Sequence, residues 1–110
     1  MKRVNLSELT TQGVSHNTAI RKKVMLQPGE IPHLTNFSQA TFAPGQVAKA
    51  HAHSDMYEVF FVSAGSGTMT VNGEDQALSP GVCILVEPGD VHEVTNTGQD
   101  PLVLNYFGIV

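Results

Sequence analysis

The sequence predicts an all-β fold of the sandwich or barrel type in a single domain. Short runs of residues that favour strands alternate with turns rich in glycine, proline and asparagine. One turn, Asn72-Gly73, is typical of a tight hairpin, because a type I′ turn requires positive φ at both central residues. Helical periodicity is absent over any useful length, and 110 residues are the size of one domain. We therefore expect about nine or ten short strands.

The chain is predicted to begin with an arm, residues 1–17, and to continue as a barrel, residues 18–110. The arm is polar, with too few apolar residues for a helix or strand to be assigned. Its scattered apolar residues are Val4, Leu6, Leu9 and Val14. We expect the arm to need a surface against which these side chains can pack.

Strands within the barrel are predicted wherever a β-prone run is bounded by turn residues. These runs are 19–26, 37–42, 47–53, 59–62, 68–71, 76–78, 82–86, 91–95 and 102–110. Alternation in the second run places Ala40 and Phe42 on the inner face. Residues 102–110 are apolar on both faces, so alternation alone leaves their inward face open.

Composition excludes several kinds of partner. The 10 acidic and 6 basic residues give a formal net charge of -4, and the only basic cluster is Arg21-Lys22-Lys23. Nucleic acid and anionic membranes are therefore not expected as partners. A lone cysteine, no signal-peptide pattern and no apolar run of about 20 residues together favour a cytoplasmic protein.

Histidines and one glutamate form the pattern that carries the most chemical information. His51 and His53 are two residues apart in a predicted strand, so their side chains point to one face. Glu58 can turn toward the same interior, and His92 is a later candidate. Imidazoles with a carboxylate suit Mn²⁺, Fe²⁺, Co²⁺, Ni²⁺ or Zn²⁺. We predict that one divalent transition metal binds to His51, His53, Glu58 and His92.

Three other residues with reactive side chains are expected to take no part in the chemistry. His16 lies in the arm and His33 follows a proline in a loop, so both are expected to be exposed bystanders. Cys83 lies in an apolar strand, where a cysteine usually behaves as a small buried hydrophobe.

Two motifs make the chain resemble the cupin family of small jelly-roll barrels. The first cupin motif, G-x5-H-x-H-x4-E-x6-G, is matched in full by Gly45, His51, His53, Glu58 and Gly65. The second, G-x5-P-x-G-x2-H-x3-N, is matched by Gly81, Gly89, His92 and Asn96. Glu87 departs from it by standing at the proline position, with Pro88 following. The resemblance implies a single-domain jelly-roll barrel with a four-ligand metal site.

The strand pattern and the resemblance together predict the lining of a pocket. Inward Glu58 implies inward Phe60 and Val62, and inward His92 implies inward Val94. Similarity to small cupins favours Leu104 and Tyr106 inward, beside Ser38, Ala40 and Phe42. Tyr106 is the candidate catalytic donor, with a core tyrosine as the alternative. No lysine or arginine is expected to hold a carboxylate or phosphate inside the barrel, which favours a small ligand that is largely uncharged or chelated to the metal.

The resemblance implies a metal-dependent enzyme acting on a small molecule chelated to the metal, with a dioxygenase-type oxidoreductase as the first hypothesis. An isomerase or lyase is the second. A non-catalytic module that binds a small ligand is the alternative from another class, because a shared fold does not imply a shared function. We also expect a homodimer, formed through the arm.

Overall fold

The computed structural model describes residues 1–110. The chain forms ten antiparallel β-strands and one turn of 3-10 helix, Leu6–Glu8. The strands are β1 Gln12–Val14, β2 Asn17–Leu26, β3 Leu34–Phe42, β4 Val47–His51, β5 Tyr57–Ala64, β6 Gly67–Val71, β7 Glu74–Leu78, β8 Cys83–Val86, β9 His92–Thr95 and β10 Leu102–Ile109. The predicted all-β fold is confirmed, and the chain contains no helix long and apolar enough to cross a membrane.

The strands form a six-stranded sheet, in the order β1-β2-β3-β10-β5-β8, and a four-stranded sheet, in the order β4-β9-β6-β7. The core lies between them, as expected for a jelly-roll barrel. Because side chains alternate along a strand, each strand contributes its inward positions to the core. The buried core residues are Ile20, Ala40, Phe42, Ala48, Phe60, Val62, Met69, Leu78, Val86, Val94, Leu102 and Leu104.

Turn residues behave as the sequence predicts. Asn72 and Gly73 have φ of 50° and 82°, which is the positive-φ pair of a type I′ hairpin between β6 and β7. Gly65 also has a positive φ, 81°, and a Cβ there would overlap the carbonyl of Pro101 and approach Leu102 Cα at 2.8 Å. Gly65 therefore permits both the turn and the close approach of β10.

The arm packs on the barrel of its own chain. β1 pairs with the edge of β2, and Val14 packs against the core. On the outer face of β2, the Arg21 guanidinium donates to the Thr11 carbonyl, and Lys23 Nζ donates to the Leu6 carbonyl at 2.8 Å. The strand in the arm was not assigned from sequence because three residues carry no periodic signal.

The expectation that Cys83 is buried was wrong. Cys83 is exposed and lies opposite Phe61 on the outer face of the larger sheet. Residues 82–86 are apolar at every position, so alternation could not indicate which face of β8 turns inward.

Candidate metal centre

Four donor side chains converge at one end of the barrel. One donor atom from each of His51, His53, Glu58 and His92 lies within 4.8 Å of the donors of the others. The Oε1 atom of Glu58 is 3.0 Å from His53 Nε2 and 3.2 Å from His92 Nε2. Two imidazole nitrogens thus approach the same carboxylate oxygen, which is a geometry compatible with a metal site.

The donors come from both sheets. His51 of β4 is paired directly with His92 of β9, and Glu58 lies on β5 of the facing sheet. The predicted strand 47–53 ends two residues early, at His51, so His53 lies in the following loop. The amide of Gly89 donates to the His53 carbonyl at 2.7 Å and fixes this loop against the turn before β9.

Backbone carbonyls orient two of the imidazoles. His51 Nδ1 lies 2.9 Å from the Lys49 carbonyl, and His92 Nδ1 lies 3.0 Å from the Asp90 carbonyl. A proton on each Nδ1 leaves Nε2 as the basic nitrogen, in the tautomer that a metal requires.

The turn before His92 is stabilised although Glu87 replaces the proline of the family motif. Asp90 accepts from the Glu87 amide at 2.9 Å and from Asn72 Nδ2 at 2.9 Å. These contacts lower the pKa of Asp90, the Glu87 amide contributing most. Asn72 Oδ1 also accepts from the Val91 amide at 2.9 Å, which ties the β6–β7 hairpin to the metal centre. This role of Asn72 and Asp90 was not predicted, and the only signal for it in the sequence is the Asn72-Gly73 hairpin motif.

Two buried polar atoms in this cluster, Glu58 Oε1 and His92 Nε2, have no hydrogen-bond partner, because their 3.2 Å contact joins two acceptors when the His92 proton is on Nδ1. Their residues are 8% and 1% exposed, so water does not satisfy them freely. Unpaired polar atoms at such depth cost free energy, and proteins rarely keep them without a ligand. A divalent cation among these donors would satisfy both atoms, so the residues fit the metal that the pattern predicts.

The imidazoles differ in their affinity for protons. Burial lowers the pKa of His51, and the neighbouring His92, His16 and His53 add to that effect. Burial also opposes protonation of His92, but the Glu58 carboxylate and the Asp90 carbonyl outweigh it and raise its pKa. Protons and a metal therefore compete for the donors of this site.

A cavity of about 170 Å³ opens beside the four donors. It is lined by six of the eight predicted pocket residues: Ala40, Phe42, Phe60, Val94, Leu104 and Tyr106. Ser38 and Val62 do face inward, but they are only 0% and 1% exposed and lie behind the cavity wall. Both residues are absent from the cavity lining, because alternation gives the face of a residue and not its depth.

Several lining residues were not predicted: Val14, Ser15, His16, Lys22, Asn36, Ala48 and Met56. His16 corrects the bystander interpretation. It is exposed at the turn between β1 and β2, yet its ring stacks on His51 at 3.7 Å between centroids. Lys22 also lines the cavity, where no lysine was expected to hold a carboxylate or phosphate. Both positions depend on how β1 and β2 pack, which a local pattern does not specify.

Tyr106 faces the cavity from β10 and stacks on Phe60, with 5.6 Å between ring centroids. Burial raises its pKa to about 12, although the nearby Ser38 hydroxyl opposes the shift. Its phenol is therefore neutral at physiological pH and can donate a hydrogen bond into the cavity.

Fold and site together define a small jelly-roll barrel with a histidine-rich cluster that is compatible with a metal site. The cupin domain family matches residues 38–108, which include all four donors and most of the barrel. The chain belongs to the cupin family.

One curated protein and two solved structures are similar over nearly the whole chain. An oxalate-binding protein from Thermotoga maritima is 25% identical over 109 residues, covering 90% of this chain and 86% of that protein. The crystal structure of a predicted oxalate decarboxylase from Thermotoga maritima has a TM-score of 0.92 and 22% identity, with 99% of each chain covered. The polyketide cyclase RemF from Streptomyces resistomycificus has a TM-score of 0.86 and 16% identity, covering 99% of this chain and 79% of that one. Because sequence identity is low, these two structural matches show a shared fold alone.

Proposed function

We propose that this cupin binds a small ligand through oxygen atoms on a divalent metal held by His51, His53, Glu58 and His92. The observation that carries the proposal is the convergence of four donors, two of them buried and unpartnered, on the side of a cavity. When bound, a divalent metal supplies Lewis acidity and coordination positions for ligand oxygens.

The remaining residues of the cavity supply shape and orientation. Phe42, Phe60 and Leu104 form apolar walls that exclude water from a bound ligand. Tyr106 provides a neutral hydroxyl on the same wall. The cavity volume of about 170 Å³ suits a ligand of few heavy atoms, since an apolar cavity of about 150 Å³ accommodates benzene.

Similarity to the oxalate-binding protein of Thermotoga maritima supports a chelating carboxylate as the ligand. That relative is matched over most of both chains, so the comparison concerns the whole barrel. Oxalate presents paired oxygen donors in a molecule small enough for the cavity. We therefore take oxalate as the first ligand to test.

Cobalt(II) reconstitution tests this proposal. We expect close to one cobalt per chain and a visible spectrum that changes when azide or oxalate is added, because both provide donors for open coordination positions. A spectrum that neither probe changes would refute ligand binding at the metal.

A dioxygenase-type oxidoreductase is the second candidate function, and the observation that favours it is the position of Tyr106. Its neutral phenol faces the cavity and can donate a hydrogen bond or a proton to a chelated substrate. The same group would also serve an isomerase or lyase, which needs proton transfer and no dioxygen.

Oxygen consumption separates these reactions. Iron(II)-loaded protein is mixed with 1,3-dicarbonyls or catechols, and oxygen uptake is followed together with product formation. Uptake that falls in Tyr106→Phe supports the oxidoreductase, and product formed without uptake supports an isomerase or lyase. Binding without either result assigns the chain to the non-catalytic class.

The expected homodimer finds support in the outer face of the larger sheet. Four large apolar residues there, Tyr57, Phe61, Leu85 and Ile109, are between 38% and 54% exposed. Apolar patches of this kind often mark interfaces. Light scattering of the full chain and of a chain lacking residues 1–17 tests the idea. A monomeric full chain would exclude the dimer, and a truncated chain that stays dimeric would move the interface from the arm to this face.

A further inference from the structure

The inner face of β2 has a lysine that the metal centre does not explain. In Arg21-Lys22-Lys23 the side chains alternate, so Lys22 shares a face with Ile20 and Val24, which are 0% and 8% exposed. Lys22 is paired with Ala40 of β3, and both residues line the cavity. The middle residue of the only basic cluster therefore lies on the wall of the ligand cavity.

The two neighbouring basic residues have structural partners, whereas Lys22 has none. Arg21 and Lys23 bind backbone carbonyls of the arm on the outer face. The only acidic residue of the cavity is Glu58, whose Oε1 atom is shared by two histidines. The one lysine ion pair of the structure is Lys2–Glu30, so Lys22 forms none. A lysine without an ion-pair partner on the wall of a small cavity is suited to an anionic ligand.

We propose, on the basis of the function proposed above, that Lys22 binds a carboxylate of the ligand and makes the site selective for small dicarboxylate dianions. Charge supports this ligand class. A divalent metal with three neutral imidazoles and one carboxylate has a net charge near +1, and Lys22 adds another positive charge on the same cavity. A small dianion balances both charges, whereas a neutral chelator leaves Lys22 without a partner.

Calorimetric titration of the cobalt-loaded full chain with two chelators tests the role of Lys22. Oxalate carries two carboxylates, whereas acetohydroxamate chelates through two oxygens and has no carboxylate. The variants are Lys22→Met and Lys22→Gln, which remove the charge, and Lys22→Arg, which keeps it. Lys23→Met is the matched control, because it removes the same charge from the adjacent residue on the outer face.

We expect oxalate affinity to fall about tenfold or more in Lys22→Met and Lys22→Gln, as for the loss of a hydrogen bond to a charged group. Lys22→Arg should keep part of the affinity, and Lys23→Met should bind as the wild type does. Acetohydroxamate affinity and cobalt content should be equal in all variants. Equal cobalt content shows that the metal centre has remained intact.

Each contrary result has a distinct meaning. Unchanged oxalate affinity in the uncharged variants, or an equal fall for both chelators, would show that Lys22 does not recognise the carboxylate. Binding of acetohydroxamate but not of oxalate to the wild type would overturn the dianion preference and leave the metal-dependent function standing. Failure of both chelators to bind the loaded wild type would overturn the function itself.

Discussion

The two ends of the barrel interior are built from the same strands but differ in how their polar groups are satisfied. At one end Leu102, Met69 and Leu78 are at most 2% exposed, and the single buried amide, Asn96, is fully bonded. Its Nδ2 donates to the carbonyls of Phe42 and Asp100, both at 2.9 Å, and its Oδ1 accepts from an amide. This end is closed, and its polar side chain stabilises a loop.

At the other end the four donor side chains face one another, and two of their donor atoms lack hydrogen-bond partners. β10 runs from Leu102 at the closed end to Gly108, which is paired with Glu58 at the metal centre. Glu58 Oε1 and His92 Nε2 are buried there without hydrogen bonds. Satisfied burial stabilises a fold, and unsatisfied burial costs stability unless a ligand is bound. The closed end therefore contributes stability, and the other end is the candidate functional site.

The largest expected effect is loss of metal when a donor is removed. His92→Ala and Glu58→Gln each remove one of four ligands, and we expect purified protein to lose nearly all of its metal by elemental analysis. His33→Ala serves as control, since His33 lies in an exposed loop. Acidification through the histidine range, around pH 6.5, should also release the metal, because protonated imidazoles do not bind it. Equal metal content in the three variants would contradict the ligand assignment.

Truncation at the closed end should affect stability and leave the metal centre intact. Leu102→Ala removes a fully buried side chain, so we expect the free energy of unfolding in urea to fall by about 2–5 kcal/mol. Ile31→Ala is the control, because Ile31 is 48% exposed and its loss should change stability by about 0.5 kcal/mol or less. Metal content per folded chain should stay at the wild-type value. A loss of metal in Leu102→Ala would show that the two ends are coupled.

A smaller effect is expected from the turn that orients His92. Asp90→Ala removes the acceptor for the Glu87 amide and Asn72. We expect metal affinity to fall about tenfold, the lower part of the range for outer-shell partners. Asp75→Ala is the matched control, since Asp75 accepts from Thr70 on the exposed β6–β7 hairpin. Equal metal affinities in the two variants would show that the backbone contact of the His92 ring is sufficient to orient it.

The smallest expected effect concerns Tyr106 at alkaline pH. Its pKa is raised from 10.0 to about 12 by burial, so the folded chain favours the neutral phenol. The resulting stability is fully present below pH 10 and is lost as pH rises toward 12, because the unfolded chain deprotonates first. Urea unfolding of metal-free protein should therefore show a steeper decline over this interval in the wild type than in Tyr106→Phe. Parallel declines would place Tyr106 in a more solvated environment.

Local patterns were sufficient to predict the strands from β2 to β10 and to select the four candidate donors. The Asn72-Gly73 turn and the spacing of His51, His53 and Glu58 are short-range features, and each has a direct conformational or chemical meaning. His92 was associated with them through the second motif. The fold, and the residues that converge on the candidate metal centre, were therefore predictable from the sequence.

Tertiary structure decided which side of each ambiguous strand turns inward and what lies over the site. Lys22 is central in a basic triplet and Cys83 lies within an apolar run, so neither segment alternates in a way that indicates a face. His16 contacts the metal centre only because β1 pairs with β2 and brings their turn next to His51. The sequence by itself determined strands, turns and donors because these follow from neighbours along the chain. Inward faces, depth and cavity walls depend on pairing between distant strands, which no local pattern encodes.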